Sequence, residues 1–323
     1  MKIVVTGGAG FLGSHLCEKL LEQGNEVIAI DNLITGSEDN IANLKDNPNF
    51  ELISKASKNF VFINADASWG LPEEITGVDQ IYHLASPASP NKNNPKSYIA
   101  HPFETMKINT MGTMKLAEQA AKSGIRFLFA STSEVYGDPL EHPQKEEYNG
   151  NVSTIGPRSV YDESKRFGET IVSAFVRSKN LDGIIVRIFN TYGPRMPEDG
   201  RVVIEFVKAA RDNQPLPMFG DGSQTRSFCF VSDMVDGLIS AMEKGEKGEV
   251  YNLGNPDEFT VLELAKKVKQ LTNSGSEIKQ VEDLPEDDPK KRCPDITKAK
   301  NKLGWEPKVG LDEGLKKLIA SLN

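Results

Sequence analysis

One short stretch constrains this chain more than any other. Gly7-Gly8-Ala9-Gly10-Phe11-Leu12-Gly13 follows directly on the β-branched run Lys2–Thr6. That run is short and apolar, the pattern of a buried strand. Residues 14–22 then place Leu16, Leu20 and Leu21 on one helical face, and Gly24-Asn25 ends the helix. A second apolar run, 27–30, closes on Asp31. A lone glycine triplet fits a tight turn with no ligand equally well. Between strand and helix, however, Gly8-x-Gly10-x-x-Gly13 has the context of a dinucleotide fingerprint. Glycines let the backbone approach a pyrophosphate, and the helix N-terminus offers it free N–H donors. Asp31 lies 18 residues past Gly13, near the spacing of an acid that binds a ribose 2′-OH. A carboxylate there repels a 2′-phosphate, which favours NAD over NADP.

The alternation continues. Residues 50–53, 60–63, 80–85, 127–130 and 184–188 read as strands, and 105–122 and the stretch after Tyr161 as helices. This predicts an α/β fold with a doubly wound parallel sheet. Beyond 189 the pattern becomes irregular. It holds strand-like 215–222, 225–231 and 250–253, and helices at 232–243 (N-capped by Ser232), 260–272 and 311–321. We expect a dinucleotide-binding domain over 1–188 plus about 225–248, and a smaller C-terminal α/β lobe from 189–224 and 249–323. The charged segment 282–291 reads as a solvated loop.

Charge and cysteines exclude other classes. A net charge of −8 argues against a nucleic-acid surface. Cys17, Cys229 and Cys293 lack paired spacing, so neither a disulfide framework nor a metal site is expected. No apolar run approaches the ~20 residues of a membrane span. With strand pattern from Lys2, no leader is expected, and a cytoplasmic location is.

The run 127–130 leads into Ser131-Thr132-Ser133-Glu134-Val135-Tyr136-Gly137. Parallel sheets bind ligands beyond the carboxyl ends of their strands. This stretch would present hydroxyls and one acid there, although alone it also fits a Ser/Thr-rich turn. Some thirty residues later, Tyr161 and Lys165 are four apart and share a helical face. Asp66 ends another strand, near an expected adenine. His83 lies within the 80–85 strand and reads as a satisfied core histidine. Met106, Met111 and Met114 read as core or subunit contact. Lys107 is either a solvated lysine or a partner for an anionic ligand.

Together, the glycine loop, the Ser/Thr cluster and Tyr161-x-x-x-Lys165 resemble the extended short-chain dehydrogenase/reductase family of nucleotide-sugar enzymes, and most nearly its decarboxylating branch. The likeness runs through 7–16, 83–90, 131–139, 155–163, 187–196, 220–233, 252–256 and 287–307. It implies a bound NAD, held by Gly7, Gly10, Phe11, Leu12, Gly13, Asp31, Asn32, Thr35, Asp66, Leu84, Ala85 and Ser86 with Tyr161 and Lys165. It implies a UDP-sugar met by Ser86, Tyr98, Lys107, Asn190, Arg195, Arg201 and Arg226, the last reaching the diphosphate or carboxylate. It also implies a homodimer through helices near 102–122 and 160–179.

In the implied chemistry Tyr161 is the base at the sugar O4, and Lys165 with the positive nicotinamide favours its phenolate. Thr132 bonds the reacting oxygen. Ser133-Glu134 separates the branches. The 4,6-dehydratases carry Asp-Glu there, the Asp acting as acid for departing water, and 4-epimerases usually lack the Glu. The implied reaction is therefore decarboxylation of UDP-glucuronate to UDP-xylose through a C4 ketone, with Glu134 positioning the sugar or a protonating water. Another NAD-dependent 4-epimerase or 4,6-dehydratase comes next. A catalytically silent nucleotide-binding regulatory protein is the rival of a different class, and intact Thr132, Tyr161 and Lys165 argue against it. The sequence departs from the family pattern at 52–60 and 91–96, which look like insertions. It departs also at Ser164, where Gly or Ala is usual, and at Ser153-Thr154, where Asn-Pro is.

Overall fold

The computed structural model describes residues 1–45, 59–283 and 291–322. The apolar runs become strands β1 (Lys2–Thr6), β2 (Glu26–Asp31), β3 (Phe60–Asn64), β4 (Gln80–His83), β5 (Arg126–Thr132) and β6 (Gly183–Ile188). With β11 (Val250–Leu253) they form one seven-stranded sheet in the order β11-β6-β5-β4-β1-β2-β3, every pairing parallel. The doubly wound sheet is as expected. The run 50–53 lies outside the described residues.

Parallel strands covered on both faces need apolar side chains on both faces. Alternation along each strand therefore feeds two cores. Ile3, Val5, Leu128 and Val186 face one side, where α1 (Phe11–Glu22) and α6 (Val231–Lys244) bring Leu16, Leu20 and Leu238. Val4, Ile81, Phe127 and Ile185 face the other. There α3 (Thr113–Ser123) and α4 (Ser159–Lys179) bring Leu116, Ala120 and Val172. The helix expected at 105–122 is interrupted. α2 (Pro102–Lys107) meets α3 through a wider π-turn, Ile108–Gly112. Ile108 and Leu116 are core, while Met111 and Met114 are exposed.

The remaining elements are short. β7 (Thr191–Tyr192) pairs with β10 (Cys229–Phe230), β8 (Leu216–Phe219) with β13 (Ile278–Glu282), and β9 (Thr225–Ser227) with β12 (Glu258–Thr260). Helices α5 (Val202–Arg211), α7 (Val261–Thr272) and α8 (Leu311–Ser321) accompany them. Several expectations change here. The run 225–231 splits into β9 and β10, and α6 starts at Val231 after Phe230, so Ser232 is not its N-cap. Residues 250–253, expected with the smaller lobe, pair with β6 as an outer strand of the central sheet. Among the described residues no helix is long and apolar enough to cross a membrane.

The chain runs outward through β1, β2 and β3, then returns to place β4 on the other side of β1. That reversal opens a crevice at the carboxyl ends of β1 and β4. The turn at its base tolerates no side chain at Gly13, where a Cβ would stand 2.0 Å from the Gly7 carbonyl oxygen. Gly13→Ala should therefore cost about 2 kcal/mol in urea unfolding of the ligand-free protein. Gly275→Ala, with nothing within 4 Å of the added carbon, should leave the transition in place.

Candidate active site

A cleft of about 1290 Å³ opens at the crevice. Its floor is the glycine turn. Gly7 adopts φ +76°, and a Cβ on it would lie 2.8 Å from the Ala85 nitrogen, so the β1 and β4 loops touch backbone to backbone. No side chain caps α1. The N–H groups of its first turn, at Phe11, Leu12 and Gly13, thus keep their donors for a ligand. Asp31 stands beside them. Its Oδ2 accepts from the Ala9 N–H at 3.1 Å and its Oδ1 from the Leu33 N–H at 2.8 Å. Burial raises its pKa, while these two bonds lower it. A carboxylate has about four lone-pair positions, so acceptor capacity remains for sugar hydroxyls. Glycine backbone, uncapped helix end and buried acid together fit a dinucleotide. Asn32, Thr35, Asp66, Leu84, Ala85 and Ser86 line the same cleft.

The end of β5 supplies the next wall. The Thr132 hydroxyl accepts the Glu134 N–H at 3.2 Å and so caps a 3₁₀ turn, Ser133–Tyr136. The Thr132 side chain also acts on Tyr161, lowering the pKa of its phenol. Tyr161 and Lys165 share one face of α4, as the spacing predicts, and both line the cleft. Lys165 Nζ donates to the Ala130 carbonyl at 2.7 Å and lies 5.9 Å from the Tyr161 ring centre. Ser164 fixes the helix: its hydroxyl accepts from Asn109 Nδ2 at 3.1 Å and donates to the Tyr161 carbonyl at 3.0 Å. On the protein's own groups, burial dominates both pKa values. It pushes the Tyr161 phenol up, and it pushes Lys165 down to about 7. For Tyr161, burial outweighs the Thr132 side chain and the Arg201 charge, both of which lower its pKa.

Glu134 is clamped. Arg158 Nη2 donates to its Oε2 at 2.5 Å, and Arg292 Nη2 donates to the same oxygen at 2.8 Å. A second Arg292 nitrogen bonds Oε1. Burial opposes the charge, but Arg158 and Arg292 outweigh it, with help from Arg226, and hold Glu134 down to about 2. Neither Arg158 nor Arg292 was singled out from the sequence. Arg158 stands one helical turn before Tyr161, a spacing that could have flagged it. Arg292 directly follows the charged segment read as a solvated loop, and only the fold brings it here.

The expected substrate contacts divide. Ser86, Lys107, Asn190, Arg201 and Arg226 line the cleft. Lys107 pairs with Asp66 at 2.9 Å and sits over Trp69. Arg201 donates to Asp199 at 2.9 Å, and Arg226, buried, donates to the Thr225 carbonyl at 2.8 Å. Tyr98 and Arg195 stand outside the wall. Tyr98 is stacked on Tyr161, with ring centres 4.9 Å apart, and Arg195 donates to Glu18 at 2.7 Å. His83 is buried between the Thr6 and Thr113 hydroxyls at 2.7 and 3.2 Å, a satisfied core residue as expected. Of the two expected insertions, the first falls largely outside the described residues. The second borders the cleft through Asn91, Lys92 and Lys96.

A doubly wound sheet with a dinucleotide cradle and a Tyr161/Lys165 helix face defines a nucleotide-dependent enzyme class. Residues 3–254 match the NAD dependent epimerase/dehydratase family, and the chain belongs to it. UDP-glucuronic acid decarboxylase 1 of Arabidopsis thaliana is 50% identical over 321 residues, spanning 99% of this chain and 69% of that protein. Among solved structures, UDP-glucose 4-epimerase of Thermotoga maritima with UDP-glucose superposes with a TM-score of 0.84 at 32% identity, over 100% of this chain and 98% of that one. The dTDP-glucose 4,6-dehydratase of Streptomyces venezuelae, solved with NAD, gives a TM-score of 0.86 at 28% identity, over 99% and 96%.

Glu134→Gln would leave two buried guanidinium groups short of a counter-charge. It should lower unfolding free energy at neutral pH by about 3 kcal/mol. Because the folded-state pKa of Glu134 is depressed to about 2, its contribution is present above the ordinary carboxylate range and is lost as pH falls toward that value. Urea unfolding across the acid range should show the native-to-variant difference closing as pH drops.

Proposed function

We propose that this chain decarboxylates UDP-glucuronate to UDP-xylose, with NAD in the glycine cradle. One observation carries the reading. Ser133 replaces the acid that a dehydration needs, and beside it three arginines, Arg158, Arg226 and Arg292, act on the single carboxylate of Glu134. Three guanidinium groups lining one cleft suit a sugar that itself bears a carboxylate, since a guanidinium forks onto such groups. The relatedness to UDP-glucuronic acid decarboxylases over nearly the whole chain supports it.

The backbone of Gly7, Gly10, Phe11, Leu12 and Gly13, with Asp31, Asn32, Thr35, Asp66, Leu84, Ala85 and Ser86, would hold the cofactor. NAD bound there would accept a hydride from the sugar C4 and return it. Tyr161 takes the O4 proton while Thr132 holds that oxygen. Lys165, anchored on the Ala130 carbonyl, favours the phenolate in its charged form. A ketone at C4 beside the C5 carboxylate is a β-keto acid. When CO₂ leaves, the electron pair of its bond moves into the carbonyl, and the Thr132 and Tyr161 hydroxyls stabilise the resulting enolate oxygen. Glu134 positions the sugar or the water that protonates C5. Arg226 takes the diphosphate or the carboxylate, with Ser86, Lys107, Asn190 and Arg201 as further contacts. The strand ends of the central sheet serve the dinucleotide, and the segments after 189 serve the nucleotide-sugar.

Incubation with UDP-glucuronate should release CO₂ and yield UDP-xylose. UDP-galacturonate without CO₂ would instead mean epimerisation, and no turnover of any nucleotide sugar would favour a binding protein. Tyr161→Phe should lower kcat by about a thousandfold with NAD still recovered from the purified protein. Full activity in that variant would remove Tyr161 as the base.

We also infer a cytoplasmic homodimer. Cys17, Cys229 and Cys293 are free thiols, at home in a reducing compartment. Phe103 (76% exposed), Met111 (51%) and Phe167 (51%) lie on α2, the π-turn and α4. Such a cluster on adjoining helices suits a second copy of the chain. Sedimentation should give a dimer for the native protein, and a monomer when Met111 and Phe167 are both changed to Glu.

A further inference from the structure

Tyr98 was expected to meet the substrate, yet it lies outside the cleft wall and against Tyr161. The two rings are parallel within 7°, with centres 4.9 Å apart. Planes stacked at that centre distance are offset, the arrangement that ring quadrupoles favour. Tyr98 is 1% exposed and Tyr161 7%. The Tyr98 hydroxyl is buried and has no hydrogen-bond partner among the described residues. What this side chain contributes is therefore its ring, not its polar end. Tyr161 lines the cleft and Tyr98 does not. One side of Tyr161 thus meets a ligand, and Tyr98 closes another.

Tyr98 is itself held in place. Its N–H donates to the Ser89 carbonyl at 3.1 Å, which closes the loop 89–98 at its base. Ser89 is buried, and its hydroxyl donates to the Asp199 carbonyl at 2.8 Å, on the segment before α5. Further out on the loop, Asn91 covers Gly200, where a Cβ would stand 2.1 Å from Asn91 Nδ2. Beyond Tyr98 the chain turns into α2, with the His101 N–H donating to the Ser97 carbonyl at 3.1 Å. The segment 91–96, expected as an insertion, is the outer part of this loop, and Tyr98 is its inner end.

We propose that Tyr98 is a positioning residue of the reaction: its ring backs the Tyr161 ring and keeps the phenol forward, at the sugar oxygen. This rests on the reading of Tyr161 as the base of the decarboxylation. A phenol oxygen lies on the axis of its ring, so the swing of the whole ring sets its place. The rotation of the ring aims its hydroxyl, and that rotation has only broad preferences of its own. A parallel ring packed on one face stops the swing in that direction and restrains the rotation. Without it, Tyr161 has room to retreat from the cleft. A base works only within hydrogen-bond reach of its proton, and a misplacement of about 1 Å can cost about a hundredfold in rate. Tyr98 takes no proton and acts only through Tyr161.

Carbon-13 spectra of NAD-loaded protein, with tyrosine labelled at the ring carbon that bears the hydroxyl, test this directly. The chain has seven tyrosines, and the Tyr161 signal is the one lost in Tyr161→Phe. That signal should be single and sharp in the native protein and in Tyr98→Phe, which keeps the ring. In Tyr98→Leu it should broaden or double as the phenol takes more than one position. With UDP-glucuronate, Tyr98→Leu should lower kcat for CO₂ release about tenfold while KM stays within about twofold and NAD is still recovered. Tyr98→Phe should restore the native kcat. Tyr98→Met, flexible enough to fill the same space without a ring, carries both arms if the leucine variant does not fold. A single sharp Tyr161 signal or a native kcat without the ring, or a loss in Tyr98→Phe as large as in Tyr98→Leu, would overturn the inference. The spectral arm needs no turnover, so it decides the role of Tyr98 even if the substrate proves to be another nucleotide sugar.

Discussion

The ion cluster on Glu134 joins parts of the chain that fold for separate reasons. Glu134 belongs to the turn that ends β5, Arg158 to the start of α4, and Arg292 to a segment 134 residues further along. None of the three could sit in a buried cleft alone, because an unpaired charge there costs several kcal/mol. Together they fix the Thr132 hydroxyl, whose bond to the Glu134 N–H depends on the turn holding its shape. The same side chain acts on Tyr161. The geometry of the reacting groups and the docking of the C-terminal segment are thus one problem with one solution.

Beneath the clamp lies a second polar layer that makes the floor stiff. The Ser131 hydroxyl donates to Glu169 at 2.6 Å, and Arg187 donates to both Glu169 oxygens at 2.9 and 2.8 Å. Arg187 also donates to the Tyr136 hydroxyl at 2.9 Å, which in turn donates a hydrogen bond to Asn252 Oδ1 at 2.7 Å. This chain of bonds crosses β5, α4, β6 and β11. Strand register puts it there, since Ser131 pairs with Arg187 and Asn252 with Arg187 in turn. A buried network of this kind specifies one arrangement only when all members are satisfied. Here Glu169, four residues past Lys165, also supplies the charge that partly offsets the burial of that lysine.

Local rules wrote the first half of the fold legibly. The glycine turn, the apolar strands and the Tyr161/Lys165 face each follow from steric or periodic constraints within a few residues. The sheet, the cradle and most of the cleft wall therefore followed from the sequence. What was missed depends on distant partners. α5 carries a clear apolar face, but it lies in a region without strand-helix alternation, and β12 and β13 are short strands recognisable only by what they pair with. Arg292 looks like one more charge beside an acidic loop until the chain closes over Glu134. Tyr98 and Arg195 show the converse. Their residue types suit a ligand, yet one stacks behind the base and the other pairs with Glu18 on α1.

Burial has one consistent effect across the reacting groups, and it reaches past the individual residues. It drives the Tyr161 phenol up, Lys165 down and the Asp162 carboxyl up, so all three lean toward their uncharged forms. Only Glu134 resists, because two arginines are spent on it. A site of this kind rests with its base protonated and its lysine poised near neutrality. Charge brought in by ligands then has leverage, since a unit charge in a poorly solvated cleft shifts its neighbours far more than in water. An anion that engages Arg158 or Arg292 loosens Glu134, and a cation set beside Tyr161 favours its phenolate. The chain's net charge of −8 does not oppose this, because the field that matters is set by the few groups within the cleft.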